Sequence, residues 1–311
     1  MTDTVIEPLA KIKHSMNSPP ALSALVTVYN REKYLADCLT SILNSTWQNF
    51  EIIVVDDGSR DKSVEIATEF ASRDNRIRFY KNERNLGDYP NRNRAAELAH
   101  AKWLKYVDSD DLVKPDCFEK MLQAARAHPE AALLLSYPRP ENVPRPLLLN
   151  PVEAWREHFL NKQGFFCSGP LLSLIRTDAF RAVGGFRGSA RNMGDSILWL
   201  ELCRRWPLVI VETDLTFWRQ HDGQEYQLVR DGGWDNVKTH CLLTQVLLRD
   251  FLGEDCPLPR QERSRVRREL QWNNLRRLAW HLRRGRFAAF AHELKWTARC
   301  LTGRWTSDVS R

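Results

Sequence analysis

The segment Val107-Asp108-Ser109-Asp110-Asp111 places three carboxylates within four residues, at the end of a strand-like run from Trp103 to Val107. Charges that close repel one another, and a folded chain relieves the repulsion by supplying a cation. Hard carboxylate oxygens suit Mg2+ or Mn2+, and Mg2+ keeps substrate phosphates in its shell. If strand geometry persists, Asp108 and Asp110 point to opposite sides, one toward a metal and the other toward a sugar hydroxyl. The plainer alternative is an acidic loop capping a helix that begins at Pro115. A second acidic strand end upstream, Asp56-Asp57-Gly58-Ser59, favours the first reading.

These residues need elements to hold them. Leu22 to Val28 reads as a first strand, and Asn30 is placed to cap a helix whose apolar positions, Tyr34 to Leu43, keep a 3.6 period. Glu51 to Val55 is a continuously apolar second strand, followed by a helix with Val64, Ala67 and Phe70 on one face. Ile77 to Tyr80 reads as a strand, Arg92 to His100 as a helix, and Trp103 to Val107 as a strand. A helix opened by Pro115 comes next, then a buried strand from Ala131 to Ser136. Strands alternating with helices predict a parallel α/β sheet covered on both faces. Ligands of such open sheets bind beyond the carboxyl ends of the strands, which is where residues 28–30, 56–59 and 108–111 all fall.

The second half is less regular. Five prolines between Pro138 and Pro151 mark a connector. A helix over Pro151 to Leu160 follows, then a strand over Leu171 to Arg176 and a helix over Asp195 to Trp206. Leu208 to Val211 and Thr216 to Arg219 are strand-like, and from about residue 236 the pattern is helical.

The 311 residues, 43% hydrophobic and 27% charged, suffice for a substantial core. Seven cysteines, odd in number and without a Cys-x-x-Cys pair, argue against a disulfide framework or zinc site and for a reducing compartment. No signal peptide or membrane-spanning helix is expected, since the charged first twenty residues lack an apolar core and no apolar run reaches about 18 residues. The net charge of +7 is uneven: residues 260–311 hold 14 Lys/Arg against 4 Asp/Glu, leaving 32 against 35 elsewhere. A near-neutral body with a basic tail suggests an anionic partner for that tail.

Thr27-Val28-Tyr29-Asn30-Arg31, Asp56-Asp57-Gly58-Ser59, Asn82-x-x-Asn85-Leu86-Gly87, Asn91-Arg92-Asn93, Asp108-Ser109-Asp110-Asp111 and Gly184-Gly185-Phe186 occur in that order. Together they resemble family 2 glycosyltransferases over about residues 22–222. The resemblance implies the GT-A nucleotide-diphospho-sugar transferase fold, an α/β fold with a mostly parallel central sheet flanked by helices, here with a helical C-terminal extension. It divides the chain into a flexible segment 1–20, a catalytic domain 21–235 and a basic helical region 236–311. Within the domain, residues 21–112 form the nucleotide-binding half and 113–235 the acceptor half.

The implied activity is inverting transfer of one sugar from a nucleotide diphosphate donor, most often a UDP-sugar, to an acceptor hydroxyl. The cofactor is Mn2+ or Mg2+, and the acceptor is a sugar or lipid-linked glycan in cell-surface polysaccharide or glycoconjugate synthesis. The resemblance places Thr27, Tyr29 and Arg31 near the base and ribose, with Asp57 accepting from the ring N–H of the base. Arg92 and Ser109 lie near the nucleotide, Asp108 touches the ribose and Asp110 binds the metal. His221 is a further metal ligand or phosphate contact, and Arg219 contacts the diphosphate or pairs with Asp222. For the base, the family usually offers a carboxylate in a Glu-Asp pair. Here Gly194 replaces the Glu and Asp195 remains, either as base or as a helix N-cap. Asp57 has a plainer alternative too, holding the Gly58 turn.

In the tail, Arg residues alternate with Trp272, Leu275, Trp280, Phe287 and Trp296, which suits either a helix lying in an anionic bilayer surface or a helical pair packed on the domain. No nucleic acid is expected as a partner, since no recognised binding motif accompanies the charge. The expected location is cytoplasmic, peripheral on the inner face of the plasma membrane if the tail binds lipid. Leu202 to Trp206 lacks the Gln of processive synthases, so addition of a single sugar is expected. Two other functions compete. A catalytically silent scaffold draws on the missing Glu before Asp195, whereas a nucleotidyltransferase would need a Gly-rich basic loop where Tyr29-Asn30-Arg31-Glu32 stands.

Overall fold

A computed structural model describes residues 19–138, 144–187, 193–221 and 234–302. Strands β1 (Leu22–Val28), β2 (Phe50–Asp56), β3 (Ile77–Lys81) and β4 (Trp103–Tyr106) pair in parallel, in the order β3-β2-β1-β4. The intervening helices are α1 (Leu35–Leu43), α2 (Ser63–Arg73) and α3 (Asp88–Glu97). Beyond β4 the order continues β8-β6-β9-β7, through β8 (Ser173–Arg176), β6 (Leu133–Ser136), β9 (Leu208–Val211) and β7 (Leu147–Leu149). β8 runs antiparallel to both β4 and β6, and β7 antiparallel to β9, so the sheet is mostly but not wholly parallel. β5 (Leu112–Val113) and β10 (Thr216–Phe217) form a separate antiparallel ribbon beside the acidic turn.

Alternation of side chains across the pleat builds two cores. Leu22, Ala24, Val26 and Val28 of β1 pack on one face with α1 and with α4 (Cys117–Ala127). Leu25, Ile53 and Val55 point to the other, joining Ala95 and Ala96 of α3, Trp155 of α5 (Pro151–Phe159) and Trp199 of α7 (Gly194–Arg205). Each buried Leu, Ile, Val or Phe contributes about 1.5–3 kcal/mol. Both faces of β2 are covered, which is why its sequence runs apolar without alternation.

Several expected boundaries shift. Asn30 does not cap α1: its φ is +53, its side-chain oxygen accepts from Arg60 N–H at 2.9 Å, and Tyr34 holds the cap position. α3 starts at Asp88 rather than Arg92, and the helix expected from Pro115 starts at Cys117. β8 begins at Ser173 after a 3-10 turn over Pro170–Leu172. The proline-rich connector carries β7 at Leu147–Leu149, while its residues 139–143 lie outside the described ones. The run expected over Thr216 to Arg219 is extended only at Thr216–Phe217.

The C-terminal helices are α8 (Trp234–Val246), continued by a π turn over Leu247–Phe251, then α9 (Arg260–Arg283) and α10 (Phe287–Thr302). Leu248, Phe251, Leu258 and Val266 enter the same core as Trp155 and Trp199. Arg156 of α5 holds Glu262 of α9 through Nε and an Nη at 3.0–3.2 Å. The hairpin of α9 and α10 is pinned by Glu293, 1% exposed, whose carboxylate lies 2.8 Å from Arg277 Nε and 2.9 Å from His281 Nε2. Of the two readings of the tail, packing on the domain is therefore realised for residues 260–302. Among the described residues no helix is long and apolar enough to cross a membrane.

Candidate active site

Parallel pairing aligns the ends of β1 and β2, with Val28 opposite Asp56, and β4 ends beside them. Two carboxylates organise the turn after β2. Asp56, 1% exposed, accepts from Gly58 and Ser59 N–H at 3.0 Å each, so Asp56 and not Asp57 holds the Gly58 turn. Asp57, also buried, instead accepts from Asn82 Nδ2 at 2.8 Å, Leu86 N–H at 2.8 Å and Gly87 N–H at 2.9 Å. An ionised carboxylate has about four acceptor positions, so these three bonds leave about one for a ligand. Gly87 lies at φ +89 in the cap position of α3, a backbone state that favours glycine.

The start of α3 is the hub of the site. Arg92, 9% exposed, reaches Asp88 with Nε at 2.8 Å and Asp108 with an Nη at 2.6 Å, and its carbonyl accepts from Tyr106 Oη–H at 3.0 Å. Asp108 and Asp110 do face different partners, but for a different reason than strand alternation. β4 ends at Tyr106, and residues 108–111 form a turn closed by Asp111 N–H donating to Asp108 carbonyl at 2.8 Å. Asp110 Oδ2 lies 3.0 Å from Arg31 Nε and 3.0 Å from His221 Nε2. The His221 ring stacks on Tyr34, centroids 4.5 Å apart. Arg219 donates its backbone N–H to Asp111 at 2.9 Å, while its guanidinium pairs with Asp37 at 3.1 Å and lies over the Tyr34 ring. Asp222, its expected alternative partner, is outside the described residues. Thr27 is half-buried near the end of β1, Tyr29 is 45% exposed just beyond it, and Ser109 is buried in the turn.

Burial first, and the Asp108 carboxylate next, push the Asp111 carboxyl up to about 8. Asp110 and His221 supply one oxygen and one nitrogen donor side by side, a set that suits Mn2+ or Mg2+ when phosphate oxygens complete the shell. Among the described residues no group of three or more His, Cys, Asp or Glu is disposed to hold a metal by itself.

Asp195 enters from the other half. It is the second residue of α7, whose cap position is Met193, so its carboxylate does not serve as the N-cap. Oδ1 accepts from Ser196 N–H at 2.9 Å, and burial pushes the carboxyl up to about 6. Tyr89 from the start of α3 meets it. The Tyr89 hydroxyl accepts from Gly194 N–H at 2.8 Å and points its own proton at Asp195 Oδ1, 3.5 Å away. A Cβ on Gly194 would stand 2.6 Å from ring carbons of Tyr89, so this ring excludes any side chain at position 194. Tyr89 stacks in turn on Phe186 of the Gly184-Gly185-Phe186 segment, centroids 5.3 Å apart. Asn93 exchanges two hydrogen bonds with the Phe186 backbone, at 2.8 and 2.9 Å.

One segment, residues 82–93, thus joins Asp57, Asp108 and Asp195, while Arg31 and His221 meet at Asp110. Sequence reasoning gave Tyr34, Asn82, Asp88 and Tyr89 no individual role, although Asn82 stands in one of the family motifs and Gly87-Asp88-Tyr89-Pro90 stands out as an insert placed to shape the donor site. Tyr34 reads as an apolar helix position, and nothing in the sequence pairs Tyr89 with Gly194.

Comparison with known proteins bears on this arrangement. The sequence profile of glycosyl transferase family 2 matches residues 23–183, just over half of the chain. EpsH of Bacillus subtilis is 46% identical over 106 residues, 34% of this chain and 30% of EpsH. The chain spans about a third of the length of the curated relatives it matches. The Staphylococcus aureus TarS 1-349 structure in complex with UDP-GlcNAc superposes with a TM-score of 0.60 at 17% identity, covering 80% of this chain and 71% of that one. The mannosyltransferase PcManGT from Pyrobaculum calidifontis, in complex with GDP-Man and Mn2+, gives 0.61 at 15% identity, covering 94% and 78%. The two solved structures share the GT-A fold, and the profile match carries the sequence assignment: this chain belongs to glycosyl transferase family 2.

Proposed function

We propose that the protein is an inverting glycosyltransferase. It moves one sugar from a nucleotide diphosphate donor, a UDP-sugar, to an acceptor hydroxyl in the synthesis of cell-surface polysaccharide or glycoconjugate. The observation that carries this reading is the joining of Asp57, Arg92–Asp108 and Asp195 through the start of α3, beside the Asp110–His221 pair. TarS with UDP-GlcNAc and PcManGT with GDP-Man are precedents for a nucleotide-sugar donor on this fold.

In this reading Tyr29 offers its exposed ring to the base, beside Thr27 and Ser109, and the remaining acceptor position of Asp57 takes the ring N–H. Arg92 holds Asp108 toward the ribose. Arg219 and Arg31 are the guanidinium groups that can grip the diphosphate, by leaving or sharing Asp37 and Asp110. Asp110 and His221 would hold Mn2+ or Mg2+, which when bound offsets the charge of the departing diphosphate. Asp195 accepts the proton of the acceptor hydroxyl. A base whose pKa lies near 6 is ionised at neutral pH yet still basic enough to help, a contribution of about 10²–10⁴ in rate.

A thermal-shift panel of UDP, UDP-GlcNAc and GDP-Man, each with and without Mn2+, tests the donor. Binding at 100-fold above Kd adds about 2.7 kcal/mol to folded-state stability. The expected result is stabilisation by the uridine nucleotides that deepens with Mn2+. Preference for GDP-Man overturns the donor assignment, and no shift with any nucleotide overturns the transferase reading.

A further inference from the structure

Helix α9 carries apolar residues on two opposite sides. On the inner side Val266 and Leu270 join the core that holds Trp155, and Leu278 is buried further along. Arg277 and His281 hold Glu293 of α10 from that same side. Trp272, Leu275, Ala279 and Leu282 recur at helical spacing, and at about 100° per residue they share an arc of about 80° turned away from the inner side. All four are exposed, Trp272 by 61%, Leu275 by 44% and Leu282 by 46%. Packing on the domain accounts for the inner stripe and leaves the outer one to face something else. A row of large apolar side chains on a protein surface marks an interaction site.

The outer stripe is framed by positive charge. Arg268 stands one turn before Trp272, Arg276 lies along one edge and Arg283 follows Leu282. All three are exposed, and among the described residues none has a carboxylate partner. Glu269, at the margin of the stripe, is paired with Arg265 at 3.3 Å. A cleft of about 870 Å³ borders the stripe, lined by Trp272, Leu275, Arg276 and Ala279 and, across from them, by Phe159 and Lys162. Apolar surface and positive charge therefore continue from α9 onto the domain.

We propose that this face is a docking surface for an anionic bilayer, with α9 lying in the plane of the headgroups. Trp272, Leu275 and Leu282 enter the boundary of the acyl chains, and the guanidinium groups beside them meet lipid phosphates. Charge decides between occupants. A second copy of the chain would set Arg268, Arg276 and Arg283 against their own kind across a two-fold axis, whereas a bilayer of negative headgroups offsets them. The inner stripe thus packs on protein and the outer stripe on lipid, two faces of one helix with two tasks. None of these residues is among those assigned to the donor, the metal or the base, so this surface stands or falls apart from the transferase reading.

The test is co-sedimentation of the full chain with vesicles of phosphatidylcholine alone or with one third phosphatidylglycerol. Binding is expected to the anionic vesicles, weakening as ionic strength rises, and not to the neutral ones. Arg268→Ala/Arg276→Ala should lower the partition coefficient on anionic vesicles about tenfold to thirtyfold, and Trp272→Ala/Leu275→Ala by a similar factor. Both double variants should unfold in urea as wild type does, because the altered side chains are exposed. The control Arg73→Ala/Lys81→Ala removes two exposed charges elsewhere and should bind as wild type. Equal binding to the two kinds of vesicle, or binding unaltered in both α9 variants, overturns the proposal. An equal loss in the control overturns it as well, since net charge and not this face would then be acting. Dimers in sedimentation without lipid that Trp272→Ala abolishes overturn it in favour of a second copy as the occupant.

Discussion

The donor side and the acceptor side of the site are built differently. At the ends of β1, β2 and β4 the polar groups are densely paired, though Asp56 Oδ2, Asn82 Oδ1 and one Arg92 Nη are buried without a hydrogen-bond partner. Asp57 has three donors, Arg92 bridges two carboxylates, and Asp110 lies 3.0 Å from both Arg31 Nε and His221 Nε2. Around Asp195 the bonds are fewer and longer, the nearest side-chain donor is the Tyr89 hydroxyl at 3.5 Å, and the surroundings are aromatic. On the proposed function the difference has a physical reason. A nucleotide diphosphate presents the same charge at every turnover and suits a preorganised polar cradle. On the proposed function, a base at Asp195 gains from a site where desolvation keeps it reactive.

The sharpest way to break this contrast is at Asp195. Asp195→Asn is expected to lower kcat by about 10²–10⁴ while leaving nucleotide-induced stabilisation intact, measured by transfer assay and thermal shift. The same change should stabilise the fold at pH 8. A carboxyl raised from 3.8 to about 6 favours its protonated form in the native state, so stability falls as pH rises from about 4 to 6 and the full cost persists above 6. The gain from Asn is thus up to about 3 kcal/mol at pH 8 and vanishes below about pH 4. In wild type, kcat should rise with pH through about 6 and then level off. A flat profile from pH 5 to 8 would contradict Asp195 as the base.

On the donor side the expected losses are structural as well as catalytic. Asp57→Ala leaves buried N–H groups of Leu86 and Gly87 without an acceptor and should cost about 3 kcal/mol in urea unfolding, with nucleotide binding impaired. A variant as stable as wild type would show that the 82–87 loop is held by other means. Gly194→Ala, at the seam between the two sides, drives a methyl into the Tyr89 ring and should cost about 1–3 kcal/mol. Combining it with Tyr89→Ala should cost less than the two single changes added together, because removing the ring relieves the clash of the new methyl. Strict additivity would mean that the ring and the glycine do not constrain one another. The smallest effect is expected at Trp272→Ala, within about 0.5 kcal/mol in stability because the side chain is exposed.

Much of the donor side was legible along the chain. Runs such as Ile52 to Val55 are apolar throughout because both faces of the strand are covered, and acidic residues stand at strand ends because that is where a parallel sheet exposes its loops. The acceptor side was less so. Tyr89 and Asp195 are 106 positions apart, and nothing local to either predicts that the ring of one occupies the side-chain space of the other's neighbour. The basic tail illustrates the same limit. Its interleaved Arg and Trp residues fit a bilayer surface or a protein surface equally well, and only the seating of Val266 and the Arg156–Glu262 clamp show that one face of α9 packs on the domain.

By itself, the order of residues determined the alternating strands and helices, the position of the polar clusters at the carboxyl ends, and the family to which those clusters belong. These depend on periodicities and short spacings that a one-dimensional reading captures. Tertiary structure alone decided that Asp56 rather than Asp57 holds the Gly58 turn, that Asp110 meets Arg31 and His221, that Tyr89 packs on Gly194, and that α9 is clamped to α5. Those facts are distances between segments remote in the chain, set by the packing of two cores across one sheet, and packing is not written in any single segment.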